Sequence, residues 1–239
     1  MKRTLKEWFA FAVCVTAVSV GLSLPRCEWA AAQTPDSKAE NPILKVWLYN
    51  YAGIPKHTMA RAEGQVQNIL GAAAIRVEWI DCPTSAEEVK VHQVCQERMS
   101  DAELGLTILP TAKGVADAYV DRDFGISQIF NNGQFGHYAY VFYDRVQHTA
   151  ALTGMAASQL LGSVIAHEFG HVLMRSSTHS RSGIMRAQWD HNDLQNLTWG
   201  QLKFTPAERA LIHTEALLRL RSAGGLAKVG PKTAPSGGQ

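Results

Sequence analysis

The most constraining feature of the sequence is a stretch of 29 residues, Val146–Met174, in which Glu168 is the only formally charged side chain. Apolar residues recur along it at helical spacing over a wide arc, which predicts a helix over Ala151–Met174 that is buried on most of its surface. A lone carboxylate on such a helix is unfavourable unless it has a partner. The chain must therefore fold around this helix and provide a partner for Glu168.

Two histidines flank that carboxylate, in the run His167-Glu168-Phe169-Gly170-His171. Residues four apart on a helix lie about 40° apart around the axis and about 6 Å along it, so both imidazoles point to one face. Two imidazoles placed in this way can bind one tetrahedral metal ion. Glu168 lies about 100° around the helix from His167, beside such an ion, where a carboxylate can act as a general base.

A catalytic zinc site needs three protein ligands, so a third residue must join the two histidines. His179 lies eight residues past His171 and reaches the same ion only if the helix ends and the chain turns back. The residues of Ser176–Thr178 favour turns, because their side chains bond to their own backbone. No glycine lies at this break, so we expect a turn of a different shape from the usual one. The alternative third ligands are Asp190, His191, Glu208 and Glu215.

Together these residues resemble the metzincin zinc peptidases, whose signature is HExxHxxGxxH followed by a turn that contains methionine. The chain has HEFGH at residues 167–171, then His179-Ser180, and then GIM at residues 183–185. Gly170 and the serine after the third histidine are similar to the matrixin branch, and the short distance from His179 to Met185 is similar to archaemetzincins. The third histidine comes two residues later than in the signature, and Met174 occupies the position of the signature's glycine.

The resemblance implies three ligands for one catalytic zinc ion, namely His167, His171 and His179. It also implies that Glu168 is the catalytic base and that Met185 lies beneath the metal. The family fold is α/β (α+β), with a mixed five-stranded sheet, an active-site helix and a small C-terminal subdomain that ends in a helix. By the same analogy Ile126–Phe130 is the edge strand that lines the substrate cleft.

Hydrophobic patterning independently predicts strands interleaved with helices, which is typical of a layered α/β domain. The predicted strands are Leu44–Tyr49, Ile75–Ile80, Leu104–Leu109, Ile126–Phe130 and Tyr138–Tyr143. A tight turn is predicted at Asn131–Gly133 and a helix at Pro55–Leu70. A last helix is predicted from Thr205 to about Ala223, because Thr205 and Glu208 have the spacing of a capping box.

The N-terminus has the pattern of a secretory signal peptide. Basic residues precede the uncharged run Trp8–Leu24, and Ala30–Ala32 offers a cleavage site before Gln33. An uncleaved anchor is the alternative, although 17 residues is at the short end for a membrane span. We therefore expect a secreted or periplasmic protein with a signal peptide at 1–32, a linker at 33–43, a metzincin-like catalytic domain at 44–223 and a disordered tail at 224–239.

Cysteine content is consistent with export. Cys14 and Cys27 leave with the predicted signal, so the mature chain keeps Cys82 and Cys95. Two cysteines in an oxidising compartment most simply form one disulfide bond with each other. The alternative is two separate buried thiols.

Net charge narrows the class of partner. The formal charge is +2, and this surplus lies within the first 32 residues, so residues 33–239 are formally neutral. A neutral body gives no electrostatic basis for binding nucleic acid or an anionic membrane surface. The sequence therefore predicts an exported zinc peptidase, most simply an endopeptidase, that acts on protein or peptide substrates without stable membrane insertion after signal cleavage. The alternative is an exported zinc-binding protein that no longer cleaves and acts as a binding module. The oligomeric state is not indicated.

Overall fold

The computed structural model of the protein describes residues 41–90, 94–113, 123–130, 132 and 134–226, all within a compact unit that begins at Glu40. The predicted signal peptide lies outside the described residues, as do most of the predicted linker, Asn131 and Gly133 of the predicted turn, and the tail beyond Leu226. Among the helices in the described part of the chain, none combines the length and apolarity needed to span a bilayer.

The centre of the fold is a mixed five-stranded sheet, as the sequence predicts. Its strands are β1 Ile43–Asn50, β2 Arg76–Asp81, β3 Glu103–Leu109, β4 Gly125–Ser127 and β5 Tyr138–Phe142. The spatial order is β2-β1-β3-β5-β4, and every neighbouring pair is parallel except β4 with β5. β4 is therefore an antiparallel edge strand. It ends at Ser127, which lies opposite Ala139 and is three residues short of the predicted end at Phe130.

Six helices accompany the sheet: α1 Lys56–Gly71, α2 Ala86–Val89, α3 Tyr143–Thr153, α4 Ala157–Met174, α5 His191–Thr198 and α6 Pro206–Leu226. The capping box predicted for α6 is present, because the Thr205 N–H donates to Glu208 Oε2 (2.7 Å) and the Glu208 N–H donates to Thr205 Oγ1 (3.3 Å). α6 continues three residues past the predicted end at Ala223.

The single helix expected over Ala151–Met174 is wrong. Two helices occupy this stretch, because Gly154 adopts the left-handed conformation (φ 71°) and ends α3, and α4 begins at Ala157. Glycine adopts this conformation without the steric penalty that a Cβ imposes, so it commonly terminates helices. α3 also begins earlier than expected, directly after β5.

α5 was not predicted, although its sequence contains a start signal. Asp190 precedes the helix and accepts a hydrogen bond from the Asp193 N–H, while the Asp193 carboxylate accepts one from the Asp190 N–H. This is a capping box in which aspartate replaces the more usual glutamate. The helix has only eight residues, which is too short for hydrophobic periodicity to reveal it.

The core lies between the sheet and the helix pair α1 and α4. Fully buried side chains of the central strands, such as Val46, Leu106 and Val141, form one hydrophobic cluster with those of the two helices. The two helices approach closely at Gly162, which has no Cβ; a Cβ there would lie 2.4 Å from the main-chain oxygen of Ala62. α4 is therefore held directly against α1 at this point, and most of its residues are buried.

The structure pairs Cys82 with Cys95, whose Cα atoms lie 5.8 Å apart. The bond closes the segment between β2 and β3 that contains α2. The hydroxyl of Tyr49 on β1 donates to the main-chain oxygen of Cys95 (3.3 Å), which ties this closed loop to the sheet.

Candidate metal centre and active site

Three histidine side chains meet at the C-terminal half of α4. His167 and His171 lie on one face of this helix, and their Nε2 atoms are 3.1 Å apart. His179 comes from the segment after the helix, and one ring nitrogen from each of the three residues lies within 4.8 Å of the others. Within the described residues, this is the group of ligand side chains that can hold a metal ion.

The hydrogen bonds of the first two histidines determine which ring nitrogen is free. His167 Nδ1 lies 2.8 Å from the main-chain oxygen of Ile184, and His171 Nδ1 lies 2.7 Å from that of Ser176. Because a carbonyl oxygen can only accept, each Nδ1 is the protonated donor in the neutral ring, and each Nε2 keeps its lone pair. Two lone pairs facing each other at 3.1 Å repel unless a cation lies between them.

The spacing of these nitrogens fits a tetrahedral metal. Two nitrogen ligands at about 2.0–2.1 Å from a tetrahedral zinc ion are about 3.3 Å apart, close to the observed Nε2 separation. Burial lowers the pKa of His167 to about 4, and burial also lowers the pKa of His171, so both rings are neutral at physiological pH. Neutral imidazole is the form that binds a metal.

The turn between His171 and His179 differs from our expectation. Arg175 adopts the left-handed conformation (φ 49°, ψ 40°). The Ser176 N–H donates to the oxygen of His171 (3.2 Å), and the Arg175 N–H donates to the oxygen of Val172 (3.4 Å). This is the Schellman ending that normally uses glycine. The expectation of a different shape was therefore wrong, and an arginine adopts the usual one at a cost of about 1–2 kcal/mol.

Met185 lies beneath the histidines, against α4. Gly183 makes the preceding turn with φ 77°, and the Ile184 N–H then donates to the oxygen of Lys203 (2.9 Å). The side chain of Met185 is fully buried, and a Cβ at Gly170 would lie only 2.5 Å from its Sδ. The glycine inside the HEFGH run is thus required by the close approach of this methionine.

The four alternative third ligands are engaged elsewhere. Asp190 caps α5 and pairs with Arg186 (2.6 Å), and His191 contacts Gln195. Glu208 caps α6 and accepts a hydrogen bond from the Ser180 hydroxyl. Glu215 is buried and pairs with two arginines.

Glu168 is almost completely buried, and β4 holds it in place. Its side chain has 6% of its surface exposed, and Ser127 Oγ lies 2.5 Å from its Oε2 and 2.8 Å from its main-chain oxygen. A Cβ at Gly125 would lie 2.9 Å from the Cγ of Glu168, so the strand approaches closely. Burial raises the pKa of Glu168 to about 7, with the Ser127 hydrogen bond lowering it and the charge of Asp123 raising it.

Sequence reasoning did not identify Ser127 as a site residue. Nothing in its local sequence distinguishes it from other serines of the chain. It reaches Glu168 because the antiparallel pairing of β4 places residues 125 and 127 on the face that meets α4. That pairing depends on long-range contacts, which local patterns do not encode.

A cleft of about 520 Å³ passes over the histidines and Glu168. β4 and the residues just before it form one wall, so the predicted edge strand does line the cleft. Trp189 also lines the cleft, with its ring 6.2 Å from that of Phe124 and 6.0 Å from that of His167. The Trp189 Nε1–H donates to the oxygen of Ile184 (3.0 Å), the same atom that accepts from His167.

No protein-family model and no curated protein sequence matches this chain. Among solved structures, the chain is similar to metalloproteinase-II from Bacteroides fragilis, with 13% sequence identity and a TM-score of 0.41. The match covers 76% of this chain and 55% of that chain, so it spans about half the length of the neighbour. The function is therefore argued from the geometry of the site itself.

Proposed function

We propose that this protein is an exported zinc-dependent peptidase, an endopeptidase that cleaves within protein or peptide chains. The observation that carries the proposal is the histidine triad, in which two rings are held by main-chain oxygens so that their unprotonated nitrogens converge. A buried carboxylate lies beside it. Three histidines suit zinc, and three protein ligands leave a coordination position open, as catalysis requires.

Zinc supplies Lewis acidity, which brings the pKa of water to about 7 and polarises a carbonyl group. In the proposed reaction Glu168 accepts the proton of the attacking water and passes it to the leaving amine. A pKa near 7 suits this exchange, because an acid–base group works best when its pKa is close to the working pH. The carboxylate lines the cleft, so it is placed to meet a substrate bound there.

Ser127 can serve Glu168 in both protonation states. When the carboxylate is ionised, the Ser127 hydroxyl donates to Oε2; when Oε2 is protonated, it can donate to Ser127 Oγ while Ser127 donates to the main-chain oxygen of Glu168. Oε2 has this partner, whereas Oε1 has none among the described residues. The serine thus holds one oxygen and leaves the other available for proton transfer.

Two further features support the parts of the proposal that concern peptide binding and export. The outer side of the edge strand β4 has no strand partner in the described sheet, so an extended peptide can lie along it and pass over the triad. The Cys82–Cys95 bond suits an oxidising compartment, in agreement with the signal-like N-terminus.

The test is cleavage of casein and of a peptide library by the purified protein, before and after chelation and after zinc is added back. We expect cleavage at internal bonds, lost on chelation and restored by zinc. The matched variant is Glu168→Gln, which keeps the shape of the side chain but cannot accept the proton; it should bind one zinc ion per chain and lose hydrolysis.

Three outcomes contradict the proposal. Cleavage that survives chelation removes the metal from the mechanism. Cleavage by Glu168→Gln at the rate of the parent shows that Glu168 is not the general base. A protein that binds zinc tightly and cleaves nothing is the zinc-binding module predicted as the alternative.

A further inference from the structure

The third histidine reaches the metal site through a single turn. The left-handed Arg175 ends α4 and reverses the chain, and the oxygen of the next residue, Ser176, accepts the hydrogen bond from His171 Nδ1 (2.7 Å). The same turn therefore orients the second histidine and delivers the third. Any loosening of it disturbs two of the three ligands at once.

This turn is built on a residue that disfavours it. A side chain with a Cβ rarely adopts φ near +50°, and Arg175 is one of two non-glycine residues with positive φ among the described residues. The contacts of a strained residue must hold it in place, because the backbone alone would relax to another conformation.

The side chain of Arg175 supplies these contacts. Its Nε donates to Glu215 Oε1 on α6 (2.8 Å), and its guanidinium lies 4.4 Å from the ring centre of Phe135. Arg219, one turn further along α6, donates from Nε to the same oxygen (3.1 Å) and covers Phe135 at 4.8 Å. The aromatic ring is thus in contact with both guanidinium groups.

Arg175, Glu215, Arg219 and Phe135 form a cluster that is also hydrogen-bonded to the chain just before β5. Arg219 is fully buried, and its Nη2–H donates to the oxygen of Gly136 (2.8 Å). Glu215 is buried as well, and one of its oxygens receives both arginines. The cluster therefore joins three separate segments: the turn after α4, the helix α6 and the chain that enters β5.

We propose that the Arg175–Glu215 pair, packed on Phe135, is a positioning device that sets the metal affinity of the histidine triad from outside it. None of its members is a metal ligand. The proposal rests on the metal-binding part of the proposed function and not on peptide cleavage. Groups that hydrogen-bond to a metal ligand typically contribute 10- to 100-fold to metal affinity, and the turn that this pair holds supplies one of them, the oxygen of Ser176.

The experiment measures zinc affinity by competition with a chromogenic chelator, for the whole protein and for Arg175→Ala and Arg175→Gly. The alanine variant keeps the backbone strain and loses the contacts, so we expect it to bind zinc at least about tenfold more weakly. Glycine adopts the left-handed conformation freely, so we expect Arg175→Gly to lie between alanine and the parent. Unchanged affinity in both variants overturns the proposal, as does a glycine variant weaker than the alanine variant.

The matched control is Ser222→Ala, also on α6. It removes a hydrogen bond from that helix to Asp101 but touches neither the turn nor the triad. We expect its zinc affinity to equal that of the parent. A loss equal to that of Arg175→Ala means that any loosening of α6 weakens the metal, which overturns a specific role for the pair.

A double-variant cycle and a spectrum complete the test. If the two residues act as a pair, Glu215→Gln also weakens zinc binding, and the double variant with Arg175→Ala loses no more than the stronger single variant. Bound Co²⁺ should give an altered visible spectrum in Arg175→Ala and the parental one in Ser222→Ala. Independent, fully additive losses overturn the pairing.

A parent that binds no zinc overturns both this inference and the proposed function, whereas a parent that binds zinc without cleaving overturns only the peptidase activity.

Discussion

The successive helices α3 and α4 end in the same backbone conformation but by different means. α3 ends at Gly154 (φ 71°, ψ 12°) and α4 ends at Arg175 (φ 49°, ψ 40°). A Cβ at Gly154 would meet nothing within 4 Å, so that turn stands free. Arg175 is instead held by Glu215 and Phe135. The free turn only separates two helices, whereas the anchored turn positions two of the three histidines of the triad.

Gly183 is intermediate between these two turns. It has φ 77°, and a Cβ there would lie 2.7 Å from the oxygen of Lys203. Like the turn at Gly154, it uses glycine. Like the turn at Arg175, it orients a histidine of the triad, because the main-chain oxygen of the next residue, Ile184, accepts a hydrogen bond from His167. Variants at the three turns can therefore show whether stability and metal binding depend on backbone strain or on the distance of the turn from the histidine triad.

The largest effect is expected at the end of the anchored turn. His179→Ala should weaken zinc binding by on the order of a hundredfold or more, because it removes a direct ligand rather than an orienting residue. Asp190→Ala and His191→Ala are matched controls that should leave zinc affinity unchanged, and the first also loses a helix cap, at a cost of about 1 kcal/mol of stability. Competition with a chelator and thermal unfolding measure the two quantities. Loss of zinc in either control instead would identify the true third ligand.

Gly183→Ala should have an intermediate effect on both stability and metal binding. The left-handed strain and the clash with Lys203 together should lower the free energy of unfolding by about 2–3 kcal/mol. Zinc affinity should fall as well, because the displaced Ile184 oxygen no longer orients His167. Denaturant unfolding of the metal-free protein measures the first effect. A variant as stable as the parent would show that the turn can shift without strain.

The smallest effect is expected at the free turn. Gly154→Ala should lower the free energy of unfolding by about 1 kcal/mol, since left-handed strain is partly offset by the reduced freedom of the unfolded chain. Zinc affinity should be unchanged, as this turn contacts no part of the site. The measurements are those used for Gly183→Ala. A fall in zinc affinity here would remove the contrast between free and anchored turns.

The glycines of the stretch Val146–Met174 show what the sequence could not reveal. Gly154, Gly162 and Gly170 occur in one apolar pattern, yet only the first ends a helix. Gly162 meets α1 and Gly170 meets Met185, so these two are required by packing inside a continuous helix. Local sequence gives the same residue in all three positions, and only tertiary contacts distinguish them. For this reason the stretch was predicted as one helix.

The strands and the HEFGH histidines could be predicted from the sequence, because their signals are local. Hydrophobic patterning located all five strands within a few residues, and helical spacing put His167 and His171 on one face. The convergence of His179 could be argued only from the need for a third ligand and from the resemblance to the metzincin signature. The anchoring of Arg175 by residues 40 and more positions away, or of Glu168 by Ser127, leaves no local pattern.

The oxygen of Ile184 accepts hydrogen bonds from both His167 and Trp189. One residue belongs to the histidine triad and the other lines the cleft, so the orientation of His167 and the shape of the cleft depend on the same main-chain oxygen. A change at Trp189 that reshapes the cleft also removes one of the two hydrogen bonds that hold this oxygen. If the proposed peptidase is retargeted through the cleft wall, by natural selection or in the laboratory, the orientation of His167 has to be preserved at the same time.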